Sequence, residues 1–172
     1  KNGFVEIGIL YSENPRGRNR YPSTSEIEMI LADIELNTNL SLHVCGHSAF
    51  NNICCPDIFL RNILDIFKRI QINGKKTIKQ IEFVCDKYKN HEIITQFNEE
   101  SLEDNYNPLK VQSLNHSILL NSSKGCGIYP EKWEMPETNK KYGIAGGIHV
   151  NNFYKTLNRI NKHHKYVSWI DI

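Results

Sequence analysis

Apolar and polar positions repeat along the chain with two different periods, and each switch between them marks an element. "VEIGILYS", Val5 to Ser12, is a β-branched run that stops at the turn-rich "ENPRGRNRYPS", as a strand does where proline, glycine and asparagine gather. Ser23 then stands three residues before Glu26, with Ile27, Ile30, Leu31 and Ile34 following at i, i+3, i+4 and i+7. This is a capping-box spacing ahead of one apolar helical face. "LSLHVCG", Leu40 to Gly46, predicts the next strand, and Phe59, Ile63, Ile66, Phe67 and Ile70 predict a helix that runs until Asn73 and Gly74. Ile78 to Cys85 reads as a third strand, with a weaker polar helix over Glu92 to Phe97. "LKVQSL" and "SILLNSS" read as two strands with only "NH" between them, so one crossover helix is shortened. The last third predicts a strand in "YGIAGGI", a helix with Val150, Phe153, Tyr154, Leu157 and Ile160 on one face, and a closing strand in "YVSWIDI".

Strands alternating with helices predict an α/β fold with a parallel sheet, laid out as an open doubly wound sheet or a (β/α)₈ barrel. No GxGxxG opens the first helix, which removes the best signature of a dinucleotide-binding sheet. The 172 residues suit one domain, 1–172, with a proper core, and 40% hydrophobic and 23% charged residues are globular values. No apolar run is long enough to span a bilayer. The 21 basic and 19 acidic residues are interspersed and leave a net charge of +2, so neither nucleic acid nor a membrane surface is an expected partner. Five cysteines, Cys45, Cys54, Cys55, Cys85 and Cys126, form no even framework, which suits free thiols in a reducing, cytoplasmic compartment. Oligomeric state stays open.

Two stretches decide between the layouts. "VEIGILYSENPRGRNRYPSTSEIEMI" resembles the second strand, loop and helix of the phosphoribosylanthranilate isomerases, and "YGIAGGIHVNNF" resembles their seventh strand, Ala-Gly-Gly turn and following helix. "ILLNSSKG" stands where that family has its sixth strand, and "VSWIDI" resembles the eighth, with Asp171 near its end. The resemblance implies a TIM (β/α)₈ barrel whose strands two to eight are seen here and whose first strand lies upstream of Lys1. It also implies acid/base chemistry on a small phosphorylated, sugar-derived ligand, without a cofactor. The family uses a cysteine of the first strand as general base and an aspartate of the sixth as general acid. Asn121 occupies the aspartate's place, and an amide cannot supply the proton of a tuned carboxylic acid.

The remaining candidates each admit a plainer reading. Gly146 and Gly147 could let backbone N–H groups approach a phosphate at a helix start, or serve a tight turn needing positive φ. Arg20, where the family holds a carboxylate, is either a bidentate anion clamp or a solvated loop arginine among Arg16 and Arg18. "HVCGHSAFNNICC" gathers three cysteines and two histidines between His43 and Cys55. Strand alternation puts Ser41, His43 and Cys45 on the barrel interior if Leu40, Leu42 and Val44 face the helices. His43 and Cys45 are then an acid/base pair at the active face of a barrel, or two packed interior residues. The spacing matches no usual zinc pair, so no metal is assigned. His47, Cys54 and Cys55 are read as a loop with separate, plainer roles and the two cysteines as buried thiols. Gly125 and Gly127 around Cys126 suggest a loop that folds over a ligand or a simple turn, His116 is read as structural, and "NKHHKY" as a basic helix end. Proton transfer falls to His43, Cys45 or Asp171, with Asn121 orienting a hydroxyl. The alternatives are a non-catalytic phosphate-ligand-binding or interaction barrel and, more weakly, a metal-dependent hydrolase built on His43, Cys45 and His47.

Overall fold

The computed structural model describes residues 5–12, 20–35, 38–98, 103–121, 123, 126–131, 133, 137–163 and 167–172. Seven strands follow one another in the order of the chain. They are β1 (Glu6–Tyr11), β2 (Asn39–Val44), β3 (Arg69–Ile72), β4 (Glu92–Phe97), β5 (His116–Asn121), β6 (Tyr142–Ala145) and β7 (Val167–Ile170). The registers β1/β2, β2/β3, β5/β6 and β6/β7 are all parallel, the connectivity that helical crossovers impose. The helices are α1 (Thr24–Asp33), α2 (His47–Cys54), α3 (Ile58–Ile63), α4 (Ile78–Lys87) and α5 (Phe153–His163). Contacts gather the chain into two compact units, Lys1–Gly74 with Phe83–Ile94, and Lys75–Glu82 with Thr95–Ile172.

In the first unit the capping box at α1 is present: Ser23 Oγ accepts from Glu26 N, and Glu26 Oε2 accepts from Ser23 N at 2.7 Å. Those bonds hold the Glu26 carboxyl below its ordinary range. Of the expected apolar face only Ile27 is fully buried, while Ile30 is exposed. The expected loop after Gly46 is instead α2, which starts at His47 with Gly46 as its N-cap at φ 95°, a backbone conformation that favours glycine. The helix expected to run until Asn73 and Gly74 stops at Ile63 and tightens into a 3-10 turn over Leu64–Ile66. Arg69–Ile72 is then a strand, because Arg69 and Gln71 alternate with the buried Ile70 and Ile72 at period two.

The segment 78–85 is a helix and not a strand. Ile81, Val84 and Cys85 are buried at i, i+3 and i+4, while Phe83 between them is 52% exposed. A second capping box starts it, since Thr77 N donates to Gln80 Oε1 at 2.9 Å and Gln80 N to Thr77 Oγ1 at 3.2 Å. Glu92–Phe97, expected as a polar helix, is β4, with Ile93, Ile94, Thr95 and Phe97 buried. Its run of β-branched residues favours a pleated surface over a helix turn.

The second unit is built on Phe97, Ile118, Leu120, Trp133, Tyr142, Ile144, Ile148 and Ile160. "LKVQSL" is not a strand: Asn107 Oδ1 accepts from Leu109 N at 3.0 Å and starts a 3-10 turn over Pro108–Lys110, continued by irregular chain. Residues 99–102 of this crossover lie outside the described residues. In α5 the inward stripe is Phe153, Thr156, Leu157 and Ile160, whereas Val150 precedes the helix and is 83% exposed, and Tyr154 is exposed too. Residues 164–166 of "NKHHKY", like Arg16, Arg18 and Gly125, lie outside the described residues.

Candidate functional site

Strand alternation places the candidates of the first unit. Leu40, Leu42 and Val44 are buried along one side of β2, so Ser41, His43 and Cys45, just past the strand end, project from the other. In register Ser41 lies beside Gly8 and Arg69, and His43 beside Leu10 and Gln71. Paired residues of parallel strands share a face, so this side of β1 to β3 is polar in layers.

Toward the strand starts Arg69 stands between two carboxylates, with Nη1 3.1 Å from Glu6 Oε1 and Nε 3.1 Å from Glu92 Oε2. In the next layer His43 Nε2 is 3.1 Å from Ser41 Oγ and His43 Nδ1 is 3.3 Å from Gln71 Nε2. The ring covers Gly8, where a Cβ would fall 2.7 Å from Nε2. Beyond the strand ends Asn73 Nδ2 donates to Cys45 Sγ at 3.1 Å, Gln71 Nε2 donates to Asn73 Oδ1 at 3.1 Å, and Cys45 Sγ donates to His43 O at 3.5 Å. Backbone bonds hold both loop residues to the strands: Cys45 N donates to Tyr11 O at 2.8 Å and Asn73 N to Val44 O at 2.9 Å.

Arg20 lies on the segment before α1. It is exposed, donates to Tyr21 Oη at 2.8 Å and stacks 4.9 Å from that ring's centre. Its guanidinium is held above its ordinary pKa first by the Tyr21 hydrogen bond and charge, and further by attraction to Cys45. The fold brings His43 and Cys45 together with Gln71 and Asn73. His47 is exposed at the start of α2, and among the described residues no three His, Cys, Asp or Glu side chains stand together as a metal site. Cys54 is half-buried and Cys55 exposed, which corrects their reading as buried thiols.

In the second unit Asn121 pairs with Ala145, and Asp171 N donates to Ile144 O at 2.9 Å. Leu120, Ile144 and Ile170 belong to the core side, so Asn121, Ala145 and Asp171 line the opposite face at the strand ends. Asn121 and Asp171 are thus two strand spacings apart, roughly 10 Å. Asn121 Oδ1 accepts from Ser123 Oγ at 3.0 Å, and Ser123 borders Gly146 at 3.2 Å from where its Cβ would be.

The Gly146-Gly147 turn has φ of 111° and 59°, so the turn requires glycine on backbone grounds. A Cβ on Gly147 would collide with the backbone N of Tyr129 and with Ile128. The turn does not open directly onto a helix as expected: α5 begins at Phe153, after Asn152 has accepted from His149 N and donated to Gly147 O, each at 2.8 Å. The stretch 127–129 after Cys126 packs on that turn, with Tyr129 hydrogen-bonded to Thr156 at 3.1 Å.

His116 opens β5 buried, 2.8 Å from Thr95 Oγ1. Burial and, second, the charge of Lys140 push its imidazole down to about 3. Gln71 and Asn73 are the site residues that periodicity missed, because an apolar stripe counted through Ile70 hid the alternation of "RIQI".

No helix among the described residues is long and apolar enough to cross a membrane. No protein-family model and no curated protein matches the chain. Two solved structures are similar to it. A TrpF from Jonesia denitrificans superposes with a TM-score of 0.64 at 11% identity, covering 97% of this chain and 74% of the other. The mutually generated monomers of the dimeric phosphoribosylanthranilate isomerase from Thermotoga maritima give 0.59 at 14% identity, covering 97% and 74%. At these identities the likeness concerns the fold, and the fold of this chain is the parallel α/β architecture of those phosphoribosylanthranilate isomerase structures.

Proposed function

We infer that this protein is a divergent, isomerase-like barrel enzyme that acts by acid/base chemistry on a small phosphorylated, sugar-derived substrate. The observation that carries the reading is Cys45 at the C-terminal end of β2, with an amide N–H of Asn73 on its sulfur. A thiol so placed can give up and retrieve a proton, on the side of the strands where barrel enzymes keep their chemistry. In this reading Arg20 takes an anionic group, His43 and Cys45 serve proton transfer, and Asp171 offers a carboxylate on its own face. Gly146 and Gly147 present backbone N–H groups to a phosphate, and Asn121 hydrogen-bonds a hydroxyl where the resembled family has an acid.

Isothermal titration with phosphorylated sugars and their unphosphorylated counterparts tests it. Heat from phosphorylated forms alone is expected, and silence across the panel sinks the reading. Gly147→Val is a poor probe, because the Tyr129 backbone already fills the direction of its side chain.

Asn121 favours one second reading, a barrel that binds such a ligand without turning it over. The Asn121→Asp protein separates the two. Isomerase turnover gained by that variant would point to an inactivated parent, and tight binding with no turnover to a binding module.

A further inference from the structure

The hydrogen bonds around Cys45 and His43 have a direction that propagates through two amides. The Cys45 proton is directed at the carbonyl of His43, at 3.5 Å, so the sulfur meets Asn73 as an acceptor and Asn73 must turn its Nδ2 toward it, at 3.1 Å. Asn73 Oδ1 then faces Gln71 and accepts from Nε2 at 3.1 Å. The same Gln71 NH₂ group stands 3.3 Å from His43 Nδ1. An amide nitrogen only donates, so Nδ1 carries a lone pair and the ring proton resides on Nε2, 3.1 Å from Ser41 Oγ. Gln71 and Ser41 are both at least nine-tenths buried, and the Gly8 backbone lies against the ring. The imidazole therefore has both nitrogens engaged and its Nε2 end against Gly8.

We propose that Gln71 and Asn73 are positioning residues that hold His43 as its neutral Nε2–H tautomer and aim an N–H at the Cys45 sulfur, so that Cys45 and not His43 exchanges protons with substrate. This rests on the reading of the β2 end as a proton-transfer site and narrows it to one group. In the step, the S–H bond breaks, the proton passes to a substrate atom and the electron pair stays on sulfur. The thiolate keeps the Asn73 N–H as donor, with no turning of either amide, because sulfur accepts in both states. The reverse transfer restores the thiol. Glu6, Arg69 and Glu92 pair in the layer beyond His43.

The test is the side-chain ¹⁵N spectrum of protein labelled at histidine, with His43 assigned by its loss in His43→Gln. Near neutral pH the His43 Nδ1 resonance is expected at the unprotonated position and Nε2 at the protonated one. Gln71→Glu presents only acceptors, so Nδ1 should become protonated, and Gln71→Met, of similar shape without hydrogen bonds, should leave a mixture. A wild-type ring protonated at Nδ1 overturns the proposal, as does a tautomer unmoved by Gln71→Glu in a variant whose circular dichroism is native. The spectrum needs no ligand, so a failed sugar titration and a failed tautomer assignment are separate outcomes.

Discussion

The imidazole of His43 lies directly over Gly8 of the neighbouring strand, so close that a Cβ at position 8 would meet Nε2 at 2.7 Å and Cε1 at 2.8 Å. The glycine makes room for the ring, and the ring's place between Ser41 and Gln71 follows from that room. Gly8→Ala is expected to push His43 out of this layer and cost about 1–3 kcal/mol, the usual range for overpacking. Urea denaturation reads the loss. In a His43→Ala background the same substitution should cost less than half as much, and equal costs in both backgrounds would show that the ring is not what Gly8 accommodates.

Arg69 is shared by Glu6 and Glu92 at 3.1 Å each, with its side chain 15% exposed. Arg69→Met leaves two partly buried carboxylates facing each other without a cation. A loss of about 2–4 kcal/mol is expected, since removing one partner of such a group costs more than the pair contributes. Adding Glu92→Gln to Arg69→Met should recover part of it. No recovery in the melting temperature would show that packing of the arginine stem, and not charge, was lost.

Gly143 pairs with Trp169, whose indole occupies the space a Cβ at 143 would need. Gly143→Ala must displace the ring, with an expected loss of about 1–3 kcal/mol. The chain has two tryptophans, so emission of the Trp133→Phe protein isolates Trp169 and should shift toward the red in the variant. An unchanged spectrum would contradict the contact.

His116 makes stability depend on pH. Folded, its imidazole takes up a proton only near about 3, against an ordinary value of 6.5. Between these limits the unfolded chain binds the extra proton, so the His116 contribution is complete above the ordinary value and is lost as pH falls toward the folded one. The slope is about 1.4 kcal/mol per pH unit. Denaturation midpoints of His116→Gln should fall less steeply than wild type over that acid range. Parallel curves would exclude His116 as the source.

Local signals carried much of the fold. Ser23 and Glu26 predicted the start of α1 because a capping box is made within four residues, and "SILLN" and "YGIA" predicted β5 and β6 because long β-branched or apolar runs bounded by turns have few other uses. The shared face of Ser41, His43 and Cys45 was legible for the same reason: alternation is a property of a strand by itself. The interchange at 78–97 came from counting apolar residues without their caps. Thr77 and Gln80 announced a helix in the same notation as Ser23 and Glu26, and Ile93, Ile94 and Thr95 are β-branched.

What the chain determined alone was the alternation of elements, the glycine turns at 46 and 146–147, and which residues of β2 share a face. These depend on φ/ψ preference and on neighbours a few residues apart. The tertiary structure decided that Gln71 and Asn73 meet His43 and Cys45, and that Gly8 and Gly147 are small because a ring and a backbone lie against them. The pairs on β1 to β3 are brought together by parallel registers between strands about thirty residues apart, and no local periodicity encodes which residue will stand beside which.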